Sequence, residues 1–273
     1  MATPSSAEAA PWRSAFLSHL ETMDAPNFVL STLHPIGASA TLPGGPQFTP
    51  RCRTVVYRGL WASLLANPKN TAHLNPSIYE TDLPTITTDD RMEKVPELFQ
   101  TAKAGGSSEP PQSRRTGPIE AVFWMPEVKT QWRIRGYAVV VGPDIDSDGG
   151  EPARRALEAR MRKTGDAGSS DQWSWGRELT AHFGNLSPMM RGSFRNPPPG
   201  TPVNEKPDEG YGLGQKVEDL EDEVARSHFR VVVIVPEEVD QVDLSDPARG
   251  RRWNYKFAET ESGGSWRVSE LWP

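Results

Sequence analysis

Apolar residues first recur at helical spacing at Trp12, Phe16, Leu17 and Leu20, with a proline opening the run, so Pro11 to Met23 predicts an amphipathic helix. Phe28 to Leu33 predicts a buried strand, and Arg51 to Arg58 predicts its β-branched return. The Gly-, Pro- and Thr-rich stretch His34 to Pro50 joins them. Thr85 to Thr88 reads as a short strand and Arg91 to Gln100 as a helix. Ile119 to Trp124 and Thr130 to Val141 are the clearest strands, and the turn Met125-Pro126-Glu127 makes them an antiparallel pair. Helices are expected over Pro152 to Lys163 and Asp171 to Phe183, with a short acidic one over Val217 to Ala225. Four strands close the pattern: Phe229 to Val235, Val239 to Leu244, Trp253 to Ala258 and Trp266 to Leu271. Strands and helices do not alternate as βαβ units, so the pattern predicts a mainly β fold, an antiparallel barrel with peripheral helices.

Between these elements lie long polar stretches. Residues 1–10 read as a disordered lead-in and 11–273 as one domain, with loop insertions near 101–117 and 143–170. Composition agrees: 23 Gly and 26 Pro among 273 residues exceed the roughly 12% share of an average protein. The formal charge of −6 argues against a general binder of nucleic acid or anionic membrane. A single cysteine, Cys52, excludes an internal disulfide framework. No apolar run approaches the roughly 18 residues of a membrane helix, and the first residues do not form a secretory signal. The expectation is a soluble cytoplasmic protein.

Several motifs fail on inspection. Asp144-x-Asp146-x-Asp148-Gly149 copies the start of a calcium loop, but Arg155 stands where a bidentate Glu should complete it. Gly210-Tyr211-Gly212-Leu213-Gly214 is followed by no Lys-Ser/Thr and reads as a flexible linker. His34, His73, His182 and His228 show no zinc spacing, and no Gly-x-Ser-x-Gly elbow is present. No metal is expected.

Three basic segments survive in strand-like surroundings: Arg53-Thr54-Val55-Val56-Tyr57-Arg58, Thr88-Asp89-Asp90-Arg91-Met92-Glu93-Lys94, and Gln131-Trp132-Arg133-Ile134-Arg135-Gly136. The Arg-x-Val-Val-x-Arg strand resembles the flavin-binding strand of the pyridoxamine 5'-phosphate oxidase superfamily. The Thr-Asp-x-Arg-x-x-Lys turn and the Gln-x-Arg-Ile-x-Gly strand resemble the segments that follow it there. Arg191-x-x-Phe194, Pro199-Gly200 and the closing Trp266…Leu271-x-Pro273 match in order. The resemblance runs from about Trp12 to Pro273 and points to a divergent FMN-binding branch known from fungi and cyanobacteria.

It implies a split β-barrel with FMN as cofactor, and a homodimer with FMN in the interface. Arg53 and Lys94 would hold the phosphate, with Thr54, Val55 and Thr88 beside them; Arg58 would approach the flavin ring and Gln131 its edge. Arg252 would reach the cofactor from the late strands. Convergent Arg and Lys suit a phosphate dianion, and a cation near the ring suits negative charge on reduced flavin. Arg53 and Arg58 are five apart, so on a regular strand they would face opposite sides. Trp124, Trp132 and Tyr57 read as sheet core, and Arg133 and Arg135 either as anion contacts or as exposed charge. The segment Pro247-Ala248-Arg249-Gly250-Arg251-Arg252 lacks the His of the family's Arg-x-His-x-Arg substrate motif, so the resemblance does not carry pyridoxamine phosphate as substrate. The implied function is an FMN-dependent oxidoreductase acting on a small molecule. The alternative is a non-catalytic flavin-binding or sensor protein.

Overall fold

The structure, a computed structural model, describes residues 8–36, 47–100, 113–164, 172–260 and 263–273. Most of the expected lead-in, most of the insertion expected near 101–117 and the last six residues of the one expected near 143–170 lie outside the described residues. In chain order the elements are α1 (Arg13–Leu20), β1 (Asn27–Pro35), β2 (Phe48–Val56), β3 (Tyr79–Glu80), β4 (Thr85–Asp89), α2 (Lys94–Gln100), β5 (Arg114–Met125) and β6 (Thr130–Val141). They continue with α3 (Glu151–Glu158), β7 (Arg162–Lys163), α4 (Trp175–Gly184), α5 (Pro188–Gly192), α6 (Glu223–His228), β8 (Phe229–Asp243), β9 (Arg251–Thr260) and β10 (Gly263–Leu271).

The fold is mainly antiparallel β. An eight-stranded sheet runs β10-β9-β8-β6-β5-β1-β2, with β4 pairing to β8 off that path. Just beyond β2, the Arg58 N–H donates to Thr85 O, and the Thr85 N–H donates to Gly59 O, both at 2.9 Å. These two bonds bring the end of β2 to β4, so β2-β1-β5-β6-β8-β4 wraps almost into a ring.

Alternation along the strands fills both faces of that ring. Phe28, Leu30, Ile86, Phe123, Ile134, Val232 and Ile234 pack inside it, joined by Phe16 of α1 and by Trp12 just before that helix. The opposite faces of β6 and β8 present Val139, Val141, Val231, Val233 and Val235 to a second core with Trp61, Leu157, Leu179 and Phe183. Buried on both faces, β8 reads as an unbroken apolar run from Val231 to Val235.

Several element boundaries differ from the sequence expectation. Phe229 to Val235 and Val239 to Leu244 are one strand, β8, carried through a bulge: Arg135 pairs with Glu238 and Gly136 with Pro236, leaving Glu237 extra. The extra residue flips the alternation, so Ile234 and Val239 reach the same core although five apart. Gly136 permits the bend, because a Cβ there would stand 2.0 Å from Val235 O. Arg114 to Gly117, expected in a loop, begin β5, with a register shift between Arg115 and Pro118. The Arg114 and Arg115 guanidinium groups lie over the rings of Phe99 and Tyr137, so these charges are held by stacking. The expected helix at Val217 to Ala225 starts only at Glu223, where Asp222 caps the Ala225 N–H. The helix expected to reach Lys163 ends at Glu158, because Arg162 and Lys163 pair instead with Glu80 and Tyr79.

Candidate functional site

A cavity of about 1230 Å³ opens between β2, the turn after β4, and the segment from Leu186 to Leu213. Six of the eight residues proposed from sequence line it: Arg53, Thr54, Val55, Arg58, Thr88 and Lys94. The parity problem between Arg53 and Arg58 is resolved by the chain path. Strand β2 ends at Val56, and the next residues turn to bond β4 before Gly59 takes a φ of +100°. That conformation suits glycine.

The cations of the cavity are not equivalent. Arg53 donates to Glu97 Oε2 at 2.5 Å, and Glu97 also accepts from the Thr32 hydroxyl and lies 3.0 Å from His34 Nδ1. Burial pushes the Glu97 carboxyl up, but these hydrogen bonds outweigh it and hold the group below its usual range. Arg53 is therefore oriented by a carboxylate behind it. Arg91 is clamped twice by Asp89 and donates to Phe194 O at 3.1 Å; the Asp89 hydrogen bonds raise its pKa.

Lys94 and Arg58 differ. Among the described residues neither has a carboxylate within ion-pair distance. Lys94 donates to Thr88 Oγ1 at 3.0 Å. Burial lowers the Lys94 pKa, and the nearby Arg53 lowers it further. Arg58 is likewise pushed down by burial; its Nε is buried without a partner, and its Nη2 lies 3.7 Å from Met190 Sδ. A half-buried cation without a counter-charge is costly unless an anion completes it. Lys94, Thr88 and Arg53 thus make a donor set suited to a phosphate dianion.

The far wall is tied to the turn after β4. Tyr211 Oη lies 3.0 Å from His228 Nε2, His228 Nδ1 lies 2.9 Å from Asp90 Oδ1, and Arg230 donates to Asp90 Oδ2 at 2.7 Å. The Gly-rich stretch around Tyr211, read as a linker, is thus fastened, and Gly212 and Leu213 line the cavity. Asp89, Asp90 and His228 are close enough to share a metal ion, but ion pairs with Arg91 and Arg230 already meet the charge of both carboxylates. Sequence reasoning missed Glu97, Tyr211 and His228. Only the position of Glu97, one helical turn after Lys94, could have signalled any of them.

Gln131 and Arg252 lie elsewhere. Both align with Val242, so the three form one row across β6, β8 and β9 on the outward face of the sheet. Trp124 pairs with Gln131 in the same row and is 49% exposed, correcting its reading as core, whereas Trp132 is fully buried and donates its indole N–H to His19. Arg252 and Arg133 both bind Asp240, at 2.9 and 3.0 Å, and Arg135 binds Glu238 at 2.8 Å. The Asp240 carboxyl is pushed up by burial but held low by the two arginines. Among the described residues no helix is long and apolar enough to cross a membrane.

An almost-closed antiparallel ring with a cluster of cations at one edge is the architecture of a split barrel. Residues 9–142, just under half of the chain, match the family model of the pyridoxamine 5'-phosphate oxidase FMN-binding domain, a domain whose cofactor is FMN. Among solved structures it resembles a pyridoxamine 5'-phosphate oxidase-related, FMN-binding protein from Nostoc punctiforme. There the identity is 20% and the TM-score 0.54, covering 97% of this chain and all of that one. It also resembles PhzG from Burkholderia lata, solved with tetrahydrophenazine-1-carboxylic acid, at 14% identity and a TM-score of 0.44, covering 95% of this chain and 87% of that one. No curated protein matches the sequence significantly.

Proposed function

We propose that this chain is an FMN-dependent oxidoreductase whose working unit is a homodimer. The observation that carries the reading is the convergence of Arg53, Thr88 and Lys94 in one cavity, with no carboxylate paired to Lys94 among the described residues. In this reading Lys94 and Arg53 hold the FMN phosphate, with Glu97 keeping the Arg53 fork in place. Thr54 and Val55 flank the cofactor along β2, Thr88 adds a hydroxyl, and Arg58 belongs with the ring end. The bound cofactor supplies two-electron redox chemistry, which the protein tunes by charge and orientation.

The outward row of Gln131 and Arg252 does not line the cavity of its own chain. A second copy docked on this face would bring both residues to the partner's cofactor. Exposed Val29, Val56 and Trp124 supply the apolar surface for that contact.

One observation favours the alternative of a flavin carrier without turnover. Of the carboxylates lining the cavity, Asp89 is neutralised by Arg91, and Glu205 and Asp208 belong to the far wall. No free acid or base stands beside the cation cluster among the described residues.

The test is an absorbance spectrum of the purified protein before and after adding FMN and desalting. Retained flavin bands, lost in an Arg53→Ala, Lys94→Ala double variant that remains folded, support the site. A folded protein that retains no flavin at micromolar concentration overturns it. Sedimentation of the flavin-bound protein tests the dimer, and Trp124→Glu should yield monomers with weakened flavin. A monomer that holds flavin tightly removes the interface reading. Reduction of bound flavin by NAD(P)H, followed by turnover of an added acceptor, separates the enzyme from the carrier.

A further inference from the structure

The two walls of the cavity differ in chemistry. The β2 side and the turn after β4 carry the hydroxyls and cations already described. The opposite wall presents Leu186, Met190, Phe194, Pro197, Pro202 and Leu213. Prolines have no N–H to donate, and a thioether is only a weak acceptor. Its hydroxyls are turned onto its own backbone, Ser193 donating to Met190 O and Thr201 to Pro198 O, so beside Asn196 the wall has few neutral polar groups with which to recognise a phosphate or a sugar. Its charged members, Glu205, Lys206 and Asp208, are of mixed sign and adjacent in sequence, and Arg91 is already committed to Asp89.

The wall is also left uncovered. Leu213 is 80% exposed and Met190 41%, although both line a concave site. The cavity, at about 1230 Å³, exceeds the roughly 300–1,000 Å³ of a typical single-ligand pocket. A methionine beside a phenylalanine makes an adaptable surface for aromatic faces. The wall is held in place by Arg91 on Phe194 O and by Tyr211 on His228.

We infer that this cavity takes a second molecule beside the cofactor: a flat, uncharged, mostly apolar compound of the fused-aromatic class, seated against Met190, Phe194 and Leu213. The inference rests on the FMN reading above, and it names the substrate class of that site. A planar molecule fits because the space left over a flavin ring facing a wall is a slot. An uncharged one fits because the cations on the opposite side serve the cofactor.

The experiment uses the full chain loaded with FMN, whose affinity is measured first. 2-Naphthol at neutral pH is titrated while the visible flavin band is followed, in parallel with pyridoxamine 5'-phosphate. The expected result is a saturable perturbation by 2-naphthol, with a dissociation constant at least tenfold lower than that of pyridoxamine 5'-phosphate. Met190→Ala and Leu213→Asp should each weaken 2-naphthol at least tenfold while FMN affinity stays within about twofold. Absence of saturable binding, tighter binding of the phosphate compound, or indifference to both variants overturns the inference while the cofactor reading stands. The first two would leave a second copy of the chain, or an anionic substrate, as the occupant of the cavity. A protein that takes up no FMN overturns both readings at the first step.

Discussion

Lys94 is where charge and burial compete. Burial and the Arg53 guanidinium both disfavour its ammonium form, while a phosphate dianion in contact would favour it. The sign follows from linkage: FMN binds better to the protonated lysine, so affinity is full below the lysine pKa of the free protein and falls as pH rises through it. Because that pKa is depressed, the fall should begin below the usual lysine range. Fluorescence titrations of FMN across alkaline pH would show it, and Lys94→Arg should remove it, since an arginine stays charged. Lys94→Met should weaken FMN by roughly 10- to 100-fold, the scale of one hydrogen bond to a charged group, about 1.5–3 kcal/mol. Glu97 acts from the other side. Glu97→Gln should leave Arg53 charged but less firmly held, since one neutral carbonyl oxygen replaces the two charged oxygens that serve Thr32, His34 and Arg53. A loss of about 1–3 kcal/mol in denaturant unfolding is expected for a group this buried.

At the scale of elements, the barrel depends on two breaks in alternation. The bulge at Glu237 lets both halves of β8 face the same core, and the end of β2 at Val56 lets Arg58 turn into the cavity of Arg53. Gly136→Ala should force the bulge apart, because the added Cβ meets backbone at 2.0 Å. A loss of roughly 1–3 kcal/mol or more is expected, seen as a lowered unfolding midpoint. Gly212→Ala, whose Cβ would meet only Gln215 Nε2 at 3.5 Å, is the control and should shift it little. The same breaks mark the limit of what the sequence discloses. Period-two runs located most of the strands and the helical period located α1 and α2, because local burial dictates those patterns. A bulge leaves no periodic trace except a change of phase, so β8 reads as two strands. The cation cluster was legible because Arg53, Thr88 and Lys94 sit on short recognisable segments. The far wall was not: Met190, Phe194 and Leu213 belong to a Pro- and Gly-rich stretch whose path is set by tertiary ties such as Tyr211 to His228, and no local pattern encodes those.

Across the whole molecule, the helical layer that supports the far wall contains a buried titratable pair. His182 on α4 is fully buried and stacked on Trp61 at 5.6 Å, with Nε2 lacking a hydrogen bond and 3.7 Å from Glu178 Oε1. Burial pushes the His182 pKa down to about 3. Burial also raises that of Glu178, against the hydrogen bonds from Asn75 and the Ala62 N–H. An unfolded histidine titrates near 6.5, so between pH 6.5 and about 3 the unfolded chain binds more protons and stability falls as pH falls. The loss is about 1.4 kcal/mol per unit in that window, reaching a few kcal/mol at its acid end. Glu178 acts in the opposite sense, contributing stability below its unfolded pKa that is lost as pH rises through its raised folded value. The end of α4 is joined to the far wall, since Arg191 on α5 donates to Gly184 O and Leu186 O. Acid loosening of α4 should therefore release the wall and, with it, the flavin. Acid titration followed by tryptophan fluorescence and by flavin release should give one transition below pH 6.5. His182→Phe, which keeps the stack on Trp61 and removes the proton, should move both signals together to lower pH. Flavin release that stays at its original pH while the tryptophan transition moves would show that the cavity wall does not depend on α4.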